Sequence, residues 1–188
     1  MRSHAVNKQD TFIKGWYIDE SLCDLVVNYF ESNKSLQAAG TLDTGPSDMK
    51  KSMDVAVSAE HEAILPYSHA LKLCVDEYKK LYPCLDKSIS TWSMTEPMNI
   101  QKYKPKEGFL EWHTENSNPL SSLRMLVFMT YLNTVDDGGE TEWLHQSVKL
   151  KPQKGLTVLW PSDWTHMHKG CVSKTQKKYI ITGWFSYT

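Results

Sequence analysis

Residues 123–144 read LRMLVFMTYLNTVDDGGETEWL. The run Leu123–Leu132 has the apolar, aromatic and β-branched texture of a short strand. Asp136-Asp137-Gly138-Gly139 then marks a turn, and Glu140–Leu144 opens another strand. In this reading DGGET is an ordinary Gly-Gly hairpin turn. The same alternation fills the chain from about Ser88 onward. It predicts strands at Ile89–Met94, Asn99–Tyr103, Val148–Leu150, Gly155–Trp160, Thr165–His168 and Tyr179–Tyr187. Pro105–Gly108, Pro152–Gly155 and Pro161–Asp163 punctuate them.

Before Ser88 the pattern is helical. Asp19 is placed to cap a helix whose Leu22, Leu25, Val26, Tyr29 and Phe30 follow i, i+3, i+4 spacing. A second helix is expected over Pro66–Leu81, with the stripe Tyr67, Ala70, Leu71, Cys74, Val75 and Tyr78, and Pro83 as its stop. Between them Ser35–Ser52, with Gly40, Gly45 and Pro46, is long for a plain connector. It reads as a surface loop or a loop with a short strand, with a lid over a site as the alternative. Two helices followed by eight short strands predict an α+β fold. Its core is a double-stranded β-helix (a cupin-like jelly roll) of about eight strands, with the N-terminal helices packed on one sheet. The expected organisation is one domain over 1–188, helical over about 1–87 and jelly roll over about 88–188.

At 188 residues the chain suits one domain with a real core. A hydrophobic fraction of 40% argues against disorder. The net charge of −1 offers no basic field for a nucleic-acid backbone. Met125–Met129 is the longest clean apolar run, too short to span a bilayer. The polar start MRSHAVNKQD has no signal-peptide core. The expectation is therefore a soluble, cytoplasmic protein with no nucleic-acid or membrane partner. Cys23, Cys74, Cys84 and Cys171 form no CxxC pair, so reduced thiols rather than a cysteine zinc site are expected.

Three stretches carry chemistry. His113-Thr114-Glu115 puts an imidazole and a carboxylate two residues apart, on one face if extended. Thr165-His166-Met167-His168 offers two more imidazoles of one strand parity. Two histidines and a carboxylate make the facial triad of non-haem Fe(II) oxygenases, whereas three histidines would suit zinc, and spacing leaves both open. Along Lys178–Trp184, the residues Lys178, Thr182 and Trp184 share a face. A lysine there either snorkels to water or meets a bound carboxylate. Trp112, Trp143, Trp160 and Trp164 read as core aromatics rather than a binding cage.

The order of these residues resembles the Fe(II)/2-oxoglutarate-dependent dioxygenases, and within them the prolyl 4-hydroxylase group. His113 and Glu115 match the family's His-x-Asp/Glu pair, with Glu where this group usually has Asp. His168, in HKG, matches the distal histidine, and Lys178 follows ten residues later. That interval favours His168 over His166, whose tenth residue on is Gln176. Thr182 and Trp184 match the residues after the basic position. Tyr103 stands ten before the first histidine, Tyr131 ends the strand before the Gly-Gly turn, and Arg124 has a counterpart in some members. Cys171-Val172 replaces a usual Pro-Val.

The resemblance runs from about Ile100 to Trp184. It implies Fe(II) on His113, Glu115 and His168, and 2-oxoglutarate held by Lys178 with Tyr103, Tyr131, Thr182 and Trp184. His166 and Arg124 would stand in a second shell, His166 being also the alternative ligand. It implies O2 as co-reactant and ascorbate as reductant. The implied reaction hydroxylates a substrate C–H, foremost a prolyl residue in a peptide or protein. The alternatives are the same chemistry on a free amino acid or small metabolite, and a non-catalytic metal-binding jelly-roll module.

Overall fold

The computed structural model describes residues 1–7, 9–41, 45, 49–87 and 89–188. In chain order the strands are β1 Arg2–His4, β2 Lys14–Tyr17, β3 Ala38–Ala39, β4 Met53–Val57, β5 Trp92–Ser93, β6 Met98–Tyr103, β7 Arg124–Tyr131, β8 Thr141–Trp143, β9 Val148–Leu150, β10 Leu156–Pro161, β11 His168–Gly170 and β12 Lys178–Tyr187. The α-helices are α1 Glu20–Ser32, α2 Leu65–Leu81 and α3 Cys84–Lys87. A large antiparallel sheet runs β1-β2-β10-β7-β12-β6-β4-β3, with β5 on the far end of β12. A small sheet runs β11-β8-β9. This is the jelly roll expected, seated on helices.

Its sheets follow from a period of two with both faces buried. In β7, Leu126 and Phe128 face the helices, and Val127, Met129 and Tyr131 face the small sheet. In β10, Leu159 faces the helices while Leu156, Val158 and Trp160 point inward. Asp19 caps α1 by accepting from the Ser21 N–H at 2.8 Å. Cys23, Val26 and Phe30 then enter the core. Helix α2 buries Tyr67, Leu71, Cys74, Val75 and Tyr78, as its spacing predicted. The Tyr67 hydroxyl reaches Thr130 Oγ1 at 2.8 Å, which in turn pairs with Thr157 Oγ1 at 2.7 Å. These bonds satisfy the polar atoms buried between α2 and the sheet.

Three expectations are corrected. The first 87 residues are not only helical: they contribute β1 to β4, which extend both edges of the large sheet. These strands are short; pairing of β2 with β10 and of β4 with β6, onto which β1 and β3 add, stabilises them more than local propensity does. Thr165–His168 is not a strand. Residues Trp164–His166 form a 3-10 turn, closed by the His166 N–H on the Asp163 carbonyl, and β11 begins only at His168. DGGET is not a hairpin, because β7 and β8 belong to different sheets. The Ser35–Ser52 segment holds a 3-10 turn over Lys34–Leu36 and β3. Residues 42–44 and 46–48, on which the lid reading rested, lie outside the described residues, as does the Ser88 boundary.

Candidate metal and cosubstrate site

A cavity of about 670 Å³ opens between the two sheets. On one wall, the segment carrying His113 runs antiparallel to β11. The His113 N–H donates to the His168 carbonyl at 3.0 Å, and the His168 N–H returns the bond at 2.9 Å. This reciprocal bridge, rather than a shared strand, puts the two histidines side by side. His113, Glu115 and His168 each offer an atom within 4.8 Å of the others. His113 Nδ1–H donates to the Glu111 carbonyl at 2.8 Å, and His168 Nδ1–H to the His166 carbonyl at 3.1 Å. Each ring is thereby turned so that Nε2 faces Glu115 Oε1, at 3.7 Å from His113 and 3.2 Å from His168. With Nδ1–H given to a carbonyl, Nε2 is the atom of each ring left to meet a metal, and His168 Nε2 stands at hydrogen-bond distance from Glu115 Oε1, 3.2 Å. Two ring nitrogens and a carboxylate oxygen thus converge on one point, where a divalent cation would find its donors. The donor set fits a divalent metal, and nitrogen with oxygen suits Fe(II).

Phe109 stacks flat on His113, centroids 3.6 Å apart and planes within 6°. Burial, with His168 adding to it, pushes the His113 imidazole down to about 4. Burial alone would raise Glu115. The hydrogen bond and charge of His168, then His113 and Arg124, reverse that and hold it at about 2. At neutral pH these two groups therefore stand in their metal-binding forms.

Lys178 lies deeper in the same cavity, 4% exposed. Its ammonium donates to the Gly139 carbonyl at 3.1 Å and lies 4.8 Å from the centroid of the Tyr103 ring. Among the described residues it makes no ion pair. Burial pushes it down to about 8. A dry cation without a counter-ion suits a bound carboxylate. The DGGET turn thus serves the site: Gly139 supplies the lysine's acceptor and Thr141 lines the cavity. Gly138 must be glycine. Its φ is 128°, and a Cβ would stand 2.3 Å from the Val172 carbonyl oxygen.

Of the other expected residues, Tyr103, Thr182, Trp184 and Arg124 line the cavity. The Tyr103 hydroxyl donates to Gln101 Oε1 at 2.6 Å, and that of Thr182 to the Phe128 carbonyl at 2.7 Å. Tyr131 does not line it. This hydroxyl is turned to Thr141 Oγ1 at 2.7 Å, so Thr141 presents the polar atom at the wall. His166 keeps its ring out of the His113, Glu115 and His168 cluster. Its Nε2–H donates to the Thr11 carbonyl at 3.0 Å, anchoring the N-terminal segment, and only its carbonyl serves His168. Trp143 and Trp160 are core aromatics as expected, but Trp164 is 69% exposed.

Sequence reading missed several lining residues. Lys50 and Asp54 form a buried ion pair at 2.6 Å, at an i, i+4 spacing visible in the sequence. Glu96 and Phe109 carry no local signal; only distant chain segments give them their roles.

Residues 98–186 match the family model described as 2OG-Fe(II) oxygenase superfamily. A curated relative, prolyl 4-hydroxylase 13 of Arabidopsis thaliana, is 26% identical over 115 residues. That match covers 47% of this chain and 42% of the plant protein, so the chain spans less than half of that relative's length. A viral collagen prolyl hydroxylase from Paramecium bursaria Chlorella virus-1, solved with 2OG, superimposes with a TM-score of 0.70 at 17% identity. It covers 95% of this chain and 97% of the viral one. A Trichoplax adhaerens prolyl hydroxylase, solved with a hypoxia-inducible-factor peptide fragment, gives 0.75 at 18%, covering 94% and 84%. A Pseudomonas putida prolyl-4-hydroxylase gives 0.69 at 15%, covering 94% and 93%. Residues 98–186, just under half of the chain, thus resemble the 2OG-Fe(II) oxygenase superfamily in sequence, and the chain as a whole shares the fold of these solved hydroxylases.

Proposed function

We propose that the chain is an Fe(II)- and 2-oxoglutarate-dependent dioxygenase that hydroxylates a prolyl residue in a peptide or protein. One observation carries the chemistry: three metal-type donors and a buried lysine without an ion pair among the described residues share a single cavity. The hydroxylases named above support the substrate class. In this reading His113, Glu115 and His168 hold Fe(II), which supplies O2 activation coupled to oxidative decarboxylation of 2-oxoglutarate. Lys178 pairs with the distal carboxylate of the cosubstrate. Tyr103 packs beside that ammonium, and Thr182, Thr141 and Ile180 shape the surrounding wall. Trp160 and Met129 close the apolar floor and keep water out. The whole of 1–188 works as one domain, because β4 of the N-terminal part pairs with β6 and brings Asp54 and Ala56 to the cavity wall. Ascorbate as reductant and a cytoplasmic location belong to the same proposal. Four free thiols fit a reducing compartment, and no helix among the described residues is long and apolar enough to cross a membrane.

Metal-free protein is titrated anaerobically with Fe(II), then with 2-oxoglutarate, while the visible charge-transfer band is followed. Succinate release and a 16-dalton gain on proline-containing peptides are then measured. A band, with turnover on such a peptide, supports the proposal. No band at saturating 2-oxoglutarate with iron bound refutes it.

A further inference from the structure

The acidic ligand is a glutamate, one methylene longer than an aspartate. That adds a free torsion, and a carboxylate so placed can present either oxygen, or both, to a metal. In this chain that freedom is removed. The Trp184 indole N–H donates to Glu115 Oε2 at 3.0 Å, and the other oxygen, Oε1, faces both histidine Nε2 atoms. Trp184 is itself held. The Arg124 guanidinium lies 3.7 Å from the centroid of its ring. Arg124 Nε and Nη2 grip the two carboxylate oxygens of Glu96 at 2.8 and 2.6 Å, a planar two-point pairing. Arg124 Nη1 donates to the Glu115 carbonyl at 3.1 Å. One buried arginine thus steadies both the backbone of Glu115 and the ring that orients its side chain.

We propose that Trp184 is the positioning residue for the acidic metal ligand: its N–H holds Oε2 so that Glu115 offers Oε1 alone, and Glu96 and Arg124 hold Trp184 in place. This rests on the metal site proposed above. It assigns Trp184 a task that a cavity wall does not have. It also explains how a longer carboxylate serves where an aspartate is usual. Groups that orient a ligand in this way are worth about 10–100-fold in metal affinity.

The test is Co(II) binding to the metal-stripped full chain without cosubstrate, read by visible absorption and by the shift in Tm. Trp184→Phe keeps the ring under Arg124 and deletes the N–H. It should weaken Co(II) binding about 10–100-fold and move the absorption band. Glu115→Asp withdraws the carboxylate from the indole, so adding W184F to E115D should cost nothing further. Glu96→Gln should weaken binding in the same direction by less. Wild-type affinity and spectrum in W184F would overturn the proposal, and so would multiplicative losses in the double variant. Should W184F lose its fold, E96Q decides, and unchanged Co(II) binding there overturns the proposal. A wild-type chain that binds no Co(II) would instead bring down the metal site itself, and the proposal with it.

Discussion

Replacing Lys178 with methionine is expected to stabilise the metal-free protein while destroying its affinity for 2-oxoglutarate. Lys178 is buried, carries no ion pair among the described residues, and is pushed from 10.5 down to about 8. At about 1.4 kcal/mol per tenfold, this corresponds to about 3 kcal/mol of unfavourable burial at neutral pH. The carbonyl of Gly139 and the ring of Tyr103 do not offset it. Methionine is of similar length and has no charge to desolvate. The sign follows from proton counting. Between pH 8 and 10.5 the unfolded lysine binds a proton that the folded one releases, so stability rises with pH across that window. The penalty is complete below pH 8 and gone above 10.5. Lys178→Met should therefore raise Tm at pH 7 by several degrees, at about 2–4 °C per kcal/mol, and the gain should shrink towards zero near pH 10.5. Binding moves the other way. Taking one partner from a buried pair costs about 3–5 kcal/mol, which is two to three and a half orders of magnitude in Kd. Scanning calorimetry at both pH values and an anaerobic 2-oxoglutarate titration check this. A variant less stable than wild type at pH 7, or one binding 2-oxoglutarate within a few-fold, would refute the assignment of a lone buried cation.

Further outcomes follow from the same geometry. His168→Ala should abolish Co(II) binding. His166→Ala should leave it within a few-fold and lower Tm instead, because its ring bonds Thr11 and Thr165 and edges Phe12; equal losses of metal would refute that separation. In the metal-free chain the His113 imidazole should stay neutral from pH 8 to about 5 and take up its proton near pH 4, read from its NMR titration, because burial with His168 beside it holds it at about 4. A His113 titration centred at pH 6.5 would refute its buried environment. Gly183→Ala should cost about 1–3 kcal/mol, measured by urea unfolding, since a Cβ there would meet the Phe128 ring at 2.7 Å in a filled core.

Much of this protein was legible in its sequence because the relevant signals are local. Periods of two and 3.6, an aspartate before an apolar stripe, and a ten-residue interval from His168 to Lys178 identify the helices, the main strands and the inward face of β12. Those features arise from backbone geometry within a few residues, so neighbouring side chains suffice to reveal them. Other features depend on partners far away in the chain. Strands β2 and β4 exist through pairing with strands more than 40 residues distant, and β1 and β3 add onto them. His113 and His168 meet through a backbone bridge 55 residues apart in sequence. His166 shares a parity with His168 on paper, but a turn closed at Asp163 sends its ring to Thr11. Tyr131 has the right spacing for a cavity donor, yet Thr141 stands in front of it. Glu96, Arg124, Trp184 and Glu115 become one brace only after β7 and β12 align side by side. Residue types and intervals show what the chain can bind. Which atoms face the metal depends on side-chain directions and long-range contacts, and these exist only once the sheets have packed.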